Sequence, residues 1–338
     1  MHPIALVASL LVTAPVPCGG PAAPAADALA ASFDKHEFVF IGSTHGDLKI
    51  EEFLSCLVTR PAFTSRVTDI VTEWASSLHQ HLLDRYLLSL ETIPPDSLRP
   101  IWFDTDAPTL WLTLPQVHQF LETLREVNRA LPPAKRIRLI GGNQGVDWSK
   151  VKVIEDLAPY PFKTNLLPHL LVEHLARTPG NRTLVVYGDA HIHYRGSNLM
   201  EDLEAALGRD KLFVVGRVGE LNPSEVSSIA AAGDPNRPYF VLADRFPLGI
   251  PWPPSLRVAQ NEQSPRLADY MDAFVYLGPG ADRSLVGTIP LTAAEKAELD
   301  RRAAITALAT DPQKAMRIRY TGRARWFSAH PNDLPPRP

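Results

Sequence analysis

Short apolar runs alternate along this chain with stretches whose apolar residues recur at helical spacing. The runs Glu37–Ile41, Val67–Val71, Ile137–Ile140, Thr183–Tyr187, Leu212–Val215, Tyr239–Leu242 and Ala273–Leu277 predict strands. Helical spacing predicts helices over Leu48–Leu57 and over Leu78–Leu90, the latter stopped by Pro94-Pro95. Further helices are predicted over Leu114–Ala130, Leu166–Leu175, Leu199–Leu207 and Thr292–Leu308. Strands separated by helices imply parallel βαβ units. Runs such as Leu184 to Val186 are apolar at every position, as a sheet covered on both faces requires. The expected fold is α/β: a mainly parallel central sheet with helices on both faces and a helical insert over about residues 78–135. The insert holds a Trp- and Pro-rich piece, Pro95 to Pro108, with Trp102 inside it.

The first thirty residues are of another kind. Ile4 to Val16 is apolar, and Gly20 to Ala31 is rich in Ala and Pro with no Lys or Arg. That pattern predicts a secretory leader over residues 1–30, too short to span a bilayer, with small-x-small cleavage positions between Ala26 and Ala30. The n-region has no Lys or Arg, which counts against a leader; Pro17 before Cys18 fits a lipid-attachment box poorly. The expectation is therefore export to a periplasm or to the exterior rather than lipid anchoring. A single domain over residues 31–325 and a frayed tail over 326–338 complete the division. With the leader removed, Cys56 is the only cysteine left; its neighbours Phe53, Leu54 and Leu57 predict a buried, inert thiol.

Composition narrows the partners. The 338 residues are 45% hydrophobic and 21% charged, with a net charge of −3, which is ordinary for a soluble domain. No long basic run is present, so neither nucleic acid nor an anionic membrane surface is an expected partner. No transmembrane segment is expected, and a small-molecule or peptide substrate is. The 32 prolines point to rigid turns and ordered loops.

The candidate chemistry lies at predicted strand ends. Gly-x-x-His occurs twice, at Gly42-Ser43-Thr44-His45 and at Gly188-Asp189-Ala190-His191, each after an apolar run. A third run ends in Glu73. Side chains at the carboxyl ends of neighbouring parallel strands converge on one crevice. His45, Glu73 and His191 are therefore the candidate catalytic residues, and the same three are the candidate ligands of one divalent metal ion. Gly42 permits a tight turn or a close backbone approach. His45 precedes a predicted helix, whose positive dipole end favours neutral imidazole, the form a general base or metal ligand needs. For Glu73 the competing reading is an acid at the start of the next helix. Asp189 is placed to orient an imidazole. Asp47, two residues after His45, is either a similar supporting carboxylate or a helix cap. His193 and Arg195, with Asp147 and Trp148 after the glycine-rich loop Gly141–Gly145, are candidate substrate contacts. His36, His79, His81, His118, His169 and His174 read as surface or core residues. A serine-hydrolase elbow, a Walker A sequence and His-Glu-x-x-His are all absent.

The Gly42–Gly46 motif, Glu73 and the Gly188–His191 motif together resemble the erythromycin-esterase-like proteins and their distant relatives, the Tiki/TraB proteins and the ChaN-like haem-binding uptake proteins. The resemblance runs from residue 36 to about 280, and Asp147-Trp148 matches an Asp-Trp found after the third strand in bacterial members of unassigned function. It implies an α/β fold, with His45 as general base or metal ligand, Glu73 as the strand-end acid and His191 as the second histidine. The superfamily includes esterases, metal-dependent peptidases and haem binders. Ser43-Thr44 stand where the esterases commonly carry an acidic residue, which argues against macrolide-type ester hydrolysis.

Two functions follow. One is an exported hydrolase of an ester or amide bond, in which His45, Glu73 and His191 activate water directly or through a divalent ion; Trp102 and Trp111 would wall the cleft. The other is a carrier without catalysis, haem being the leading ligand, with His191, His193 and Tyr194 close in sequence as candidate iron ligands.

Overall fold

The computed structural model describes residues 22–43, 48–105, 115–160, 163–195, 197–218, 237–245, 267–278, 290–307 and 337. His45, Asp47, Trp111 and Cys18 lie outside the described residues, as does the apolar stretch Ile4–Val16.

The strands are β1 (Phe38–Ser43), β2 (Asp69–Ser76), β3 (Arg138–Asn143), β4 (Thr183–Gly188), β5 (Leu212–Val218), β6 (Tyr239–Leu242) and β7 (Ala273–Tyr276). They form one sheet in the order β3-β2-β4-β1-β5-β7-β6. Every pairing is parallel except that of β6 with β7, which is antiparallel. The helices are α1 (Ala23–Ala31), α2 (Leu48–Val58), α3 (Pro61–Thr64), α4 (Gln80–Leu87), α5 (Pro95–Leu98), α6 (Pro100–Phe103), α7 (Pro115–Ala130), α8 (Lys163–Pro168), α9 (Asn198–Leu207) and α10 (Ala293–Ala307). The α/β class expected from the periodicity is the class observed.

Strand residues alternate between two cores. Val39, Ile41, Ile70, Leu184 and Val186 pack with α1 to α7 on one face. Phe38, Phe40, Val71, Val185 and Tyr187 pack with α8, α9 and the segment between α8 and β4 on the other. Both faces are therefore covered, which is why these strands carry no polar alternation. The segment 77–137 is the crossover from β2 to β3, built of short helices and α7.

Chain direction explains the layering. The connections β1→β2 and β2→β3 move one way along the sheet and carry α2 and α4–α7; β3→β4 and β4→β5 move the other way and carry α8 and α9. Right-handed crossovers must put the two sets on opposite faces. At neighbouring β1 and β4, then, one chain leaves toward one face and the other toward the opposite face. Such a divergence opens a crevice at the carboxyl ends of the strands.

Other segments depart from the sequence reading. The Ala/Pro-rich stretch forms α1, whose Ala26, Leu29 and Ala30 have no exposed surface. Small side chains let this helix lie close to its neighbours. Cys56 is buried, as expected, but it is not a free thiol: it is disulfide-bonded. Trp102 does not wall a cleft; it is fully buried, stacked edge-on to Trp74 across 6.5 Å. At the far end of the chain, Arg337 donates to the Asp69 carboxylate at 3.0 Å and to the Thr68 carbonyl at 2.5 Å, capping the amino end of β2. No described helix is long and apolar enough to cross a membrane.

Candidate functional site

The site is built where β2, β4 and β1 lie side by side. Registry aligns Thr72 with Val186 and Gly42 with Tyr187, so Glu73 and Gly42 flank Tyr187 at one level. The sequence predicted Glu73 at the exit of its strand. In fact β2 continues to Ser76, though its ladder with β3 is irregular between Thr72 and Ser76 and its ladder with β4 ends at Thr72. Glu73 is the first residue past that ladder, where a side chain can turn toward the next strand's end.

It does so. The Gly188 amide donates to Glu73 Oε2 at 2.5 Å. Glu73 is 2% exposed, and a buried carboxylate is tolerated only with such partners. The bond joins the third strand-end residue to the first glycine of the second Gly-x-x-His.

The two histidine motifs also meet. A Cβ built on Gly42 would stand 1.7 Å from Asp189 Oδ1 and 2.8 Å from its Cγ. Glycine at 42 thus answers a close approach, and what approaches is the carboxylate of the other motif. Tyr187 supports this level from below the rim. Its hydroxyl donates across β2 to the Gly142 carbonyl, and a Cβ on Gly142 would come within 3.0 Å of the Tyr187 ring and 2.9 Å of the Thr72 carbonyl.

His191 lies on the 3-10 turn Asp189–His191 directly after β4 and is half-buried. Its carbonyl accepts from the Ser197 hydroxyl at 2.7 Å, and that hydroxyl also accepts from the Met200 amide at the start of α9. The turn is thereby pinned to the next helix. Two residues on, His193 Nδ1 lies 2.7 Å from the Arg195 carbonyl. Only a protonated Nδ1 can bond a carbonyl, so the neutral tautomer keeps its lone pair on Nε2, free for a proton or a metal. Arg195 itself is exposed.

Tyr194 is committed elsewhere, which corrects its reading as an iron ligand. Its hydroxyl donates to Asp272 at 2.7 Å, and the Arg209 guanidinium lies over its ring at 3.6 Å. Burial and the Asp272 carboxylate push the phenol well above its ordinary range, away from the phenolate that iron would take.

Asp147 and Trp148 lie past β3, beside a polar cleft of about 390 Å3 bounded by α10. Asp147 accepts from the Ser149 hydroxyl at 2.6 Å and pairs with Lys150 at 2.9 Å; the Ser149 bonds and Lys150 hold its carboxyl below the usual range. The Arg302 guanidinium sits over the rings of Phe103 and Trp148, at 4.1 Å and 4.9 Å, and bonds Asp104 and Glu298. Asp104 also holds His79, at 2.8 Å. These groups fasten α10 to the loop after β3, a linkage between distant segments that the sequence reading did not foresee.

Among the described residues no three His, Cys, Asp or Glu side chains gather as a metal-binding set. His45 follows β1 by two residues in sequence and lies outside the described residues.

No family model matches the chain, and no curated protein matches it. Three solved structures are similar. A structure of cofacial haem binding to ChaN of Campylobacter jejuni has 13% identity and a TM-score of 0.39, covering 58% of this chain and 87% of that one. A Bacillus cereus protein has 13% identity and a TM-score of 0.44, covering 74% and 90%. A succinoglycan biosynthesis protein has 11% identity and a TM-score of 0.46, covering 75% and 90%.

Proposed function

We propose that the carboxyl-end crevice at β2, β4 and β1 is a hydrolytic site for an ester or amide of a small molecule or peptide, in a distant member of the erythromycin-esterase and ChaN-like superfamily. The observation that carries the reading is the Glu73–Gly188 bond, which fixes a buried acid against the second histidine motif. In this reading His45 or His191 takes a proton from water as it attacks the carbonyl. Glu73 holds the charge that develops on that imidazole, much as a buried carboxylate does in a catalytic triad. Asp189, seated over Gly42, holds the end of β1 against the turn that carries His191. If a divalent ion is bound here, His45, Glu73 and His191 are the residues that would hold it, and it would lower the pKa of its water toward neutrality. Export to a periplasm or the exterior belongs to the same proposal. The test is turnover of a panel of nitrophenyl esters and anilides: His45→Ala and His191→Ala should each abolish it while leaving the fold intact. Full activity in both variants would overturn the reading.

One observation favours a carrier as the second reading: the His193 tautomer, with Nε2 left as an acceptor, is the form in which histidine binds iron. Haem added to the purified chain would then give a Soret band that His193→Ala or His191→Ala removes. An unchanged haem spectrum would dispose of it.

A further inference from the structure

The helix between β3 and β4 changes type midway. Lys163–Pro168 is α-helical and His169–Leu175 is π-helical. The Ala176 amide bonds the Leu171 carbonyl at 2.8 Å, five residues back. Pro168 supplies a cause: it has no amide to donate, and its ring crowds the carbonyl four residues earlier, so the helix widens there. Below the widened turn Leu166, Leu170, Leu171 and Leu175 are buried in the second core. The opposite side carries two half-buried imidazoles, His169 and His174.

In an α-helix residues five apart point in different directions. The π turn brings these two together: Nε2 of His169 and Nε2 of His174 are 3.3 Å apart, with ring planes at 82° and centroids 5.0 Å apart. In this structure the two nitrogens share an N–H···N hydrogen bond, and their spacing is also the bite of a single ion. Two nitrogens each about 2.0–2.1 Å from a metal at a tetrahedral angle stand about 3.3–3.4 Å apart. Burial lowers the proton affinity of both rings, favouring the neutral form that binds metal. Glu173 lies within electrostatic reach of both rings and adds negative potential; its carboxylate is paired with Arg177 at 2.5 Å.

We propose that His169 and His174 form a two-point seat for a divalent first-row transition ion, separate from the Glu73 crevice. Both Nε2 atoms bind the ion and water fills the remaining positions. With no third protein ligand among the described residues, the ion is exchangeable, unlike one in a closed structural zinc site. The 3.3 Å spacing suits an ion that accepts tetrahedral geometry, Zn2+ or Co2+, better than Cu2+, whose tetragonal preference sets neighbouring nitrogens closer together. The ion also clamps the π turn, because it ties the two ends of one widened loop.

The experiment uses the full chain, freed of metal by chelator and dialysis. Co2+ is titrated and followed by calorimetry and by its ligand-field absorbance, with Zn2+ as competitor. His169→Gln and His174→Gln should each weaken the site by roughly tenfold or more, with the helical circular dichroism unchanged, while His191→Ala leaves it intact. Affinity within twofold of the parent in both Gln variants, or loss only on changing His191, would overturn the proposal. Should either Gln variant misfold, the unmodified chain gives the answer. The imidazole 15N resonances of His169 and His174 should shift together on adding Zn2+; shifts confined to other histidines would contradict the assignment.

Discussion

The carboxylate of Asp189 occupies the space where a side chain on Gly42 would begin, with Oδ1 1.7 Å from that Cβ position. Each residue belongs to a different copy of Gly-x-x-His, so the two motifs interlock. Gly42→Ala should therefore displace Asp189 and destabilise the chain by about 1–3 kcal/mol, the usual cost of overpacking. Gly42→Ala combined with Asp189→Ala should recover most of that loss, a coupling that chemical denaturation of the four species measures directly. Purely additive losses would show that the two sites do not meet.

His118 gives the fold a pH dependence. It packs edge-on against Trp102 at 4.3 Å, and burial, with Arg99 nearby, lowers its pKa from 6.5 to about 4. The folded chain thus excludes a proton that the unfolded chain binds. Stability contributed by neutral His118 is present above about pH 6.5 and is lost as the pH falls toward 4, by up to about 3 kcal/mol. Urea midpoints across this range should flatten in His118→Leu relative to the parent.

A buried ion pair ties the β2–β3 crossover to the sheet. Arg138 donates to Asp84 at 2.6 Å and 2.9 Å, and both side chains are almost wholly enclosed. Asp84→Ala should cost about 3–5 kcal/mol by stranding the guanidinium, whereas Asp84→Leu with Arg138→Met should cost far less. Gln80 completes this edge, donating to the Leu139 carbonyl at 2.9 Å and accepting from the Gly141 amide at 2.9 Å. Its side chain thereby takes the place of a missing neighbour beside β3.

Much of the sheet was legible because its strands are continuous apolar runs; β4 and β6 begin where the pattern places them. β2 is longer than its apolar run because Glu73 and Ser76 are strand residues that take their partners from the backbone of neighbouring segments: the Gly188 amide and the Asp104 carbonyl. Periodicity is blind to such bonds. α1 has no apolar stripe that periodicity could detect, because its residues are mostly alanine. The antiparallel direction of β6 leaves no trace in four residues. The pairing of His169 with His174 was hidden because helical spacing assumes an α-helix, and only the widened turn after Pro168 brings positions five apart together. Within the candidate site, Glu73, Gly42, Gly188 and Asp189 were all singled out at strand ends. Their mutual contacts depend on strand order, which a single sequence does not display.

The most direct test of the central claim is the turnover of Glu73→Gln. The amide oxygen can still accept from the Gly188 amide, so the thermal midpoint should stay close to that of the parent. Without the negative charge to hold an imidazolium, hydrolysis of any ester or amide that the parent turns over should fall by about 10³-fold or more. Parent-level turnover in a folded Glu73→Gln protein would contradict the account.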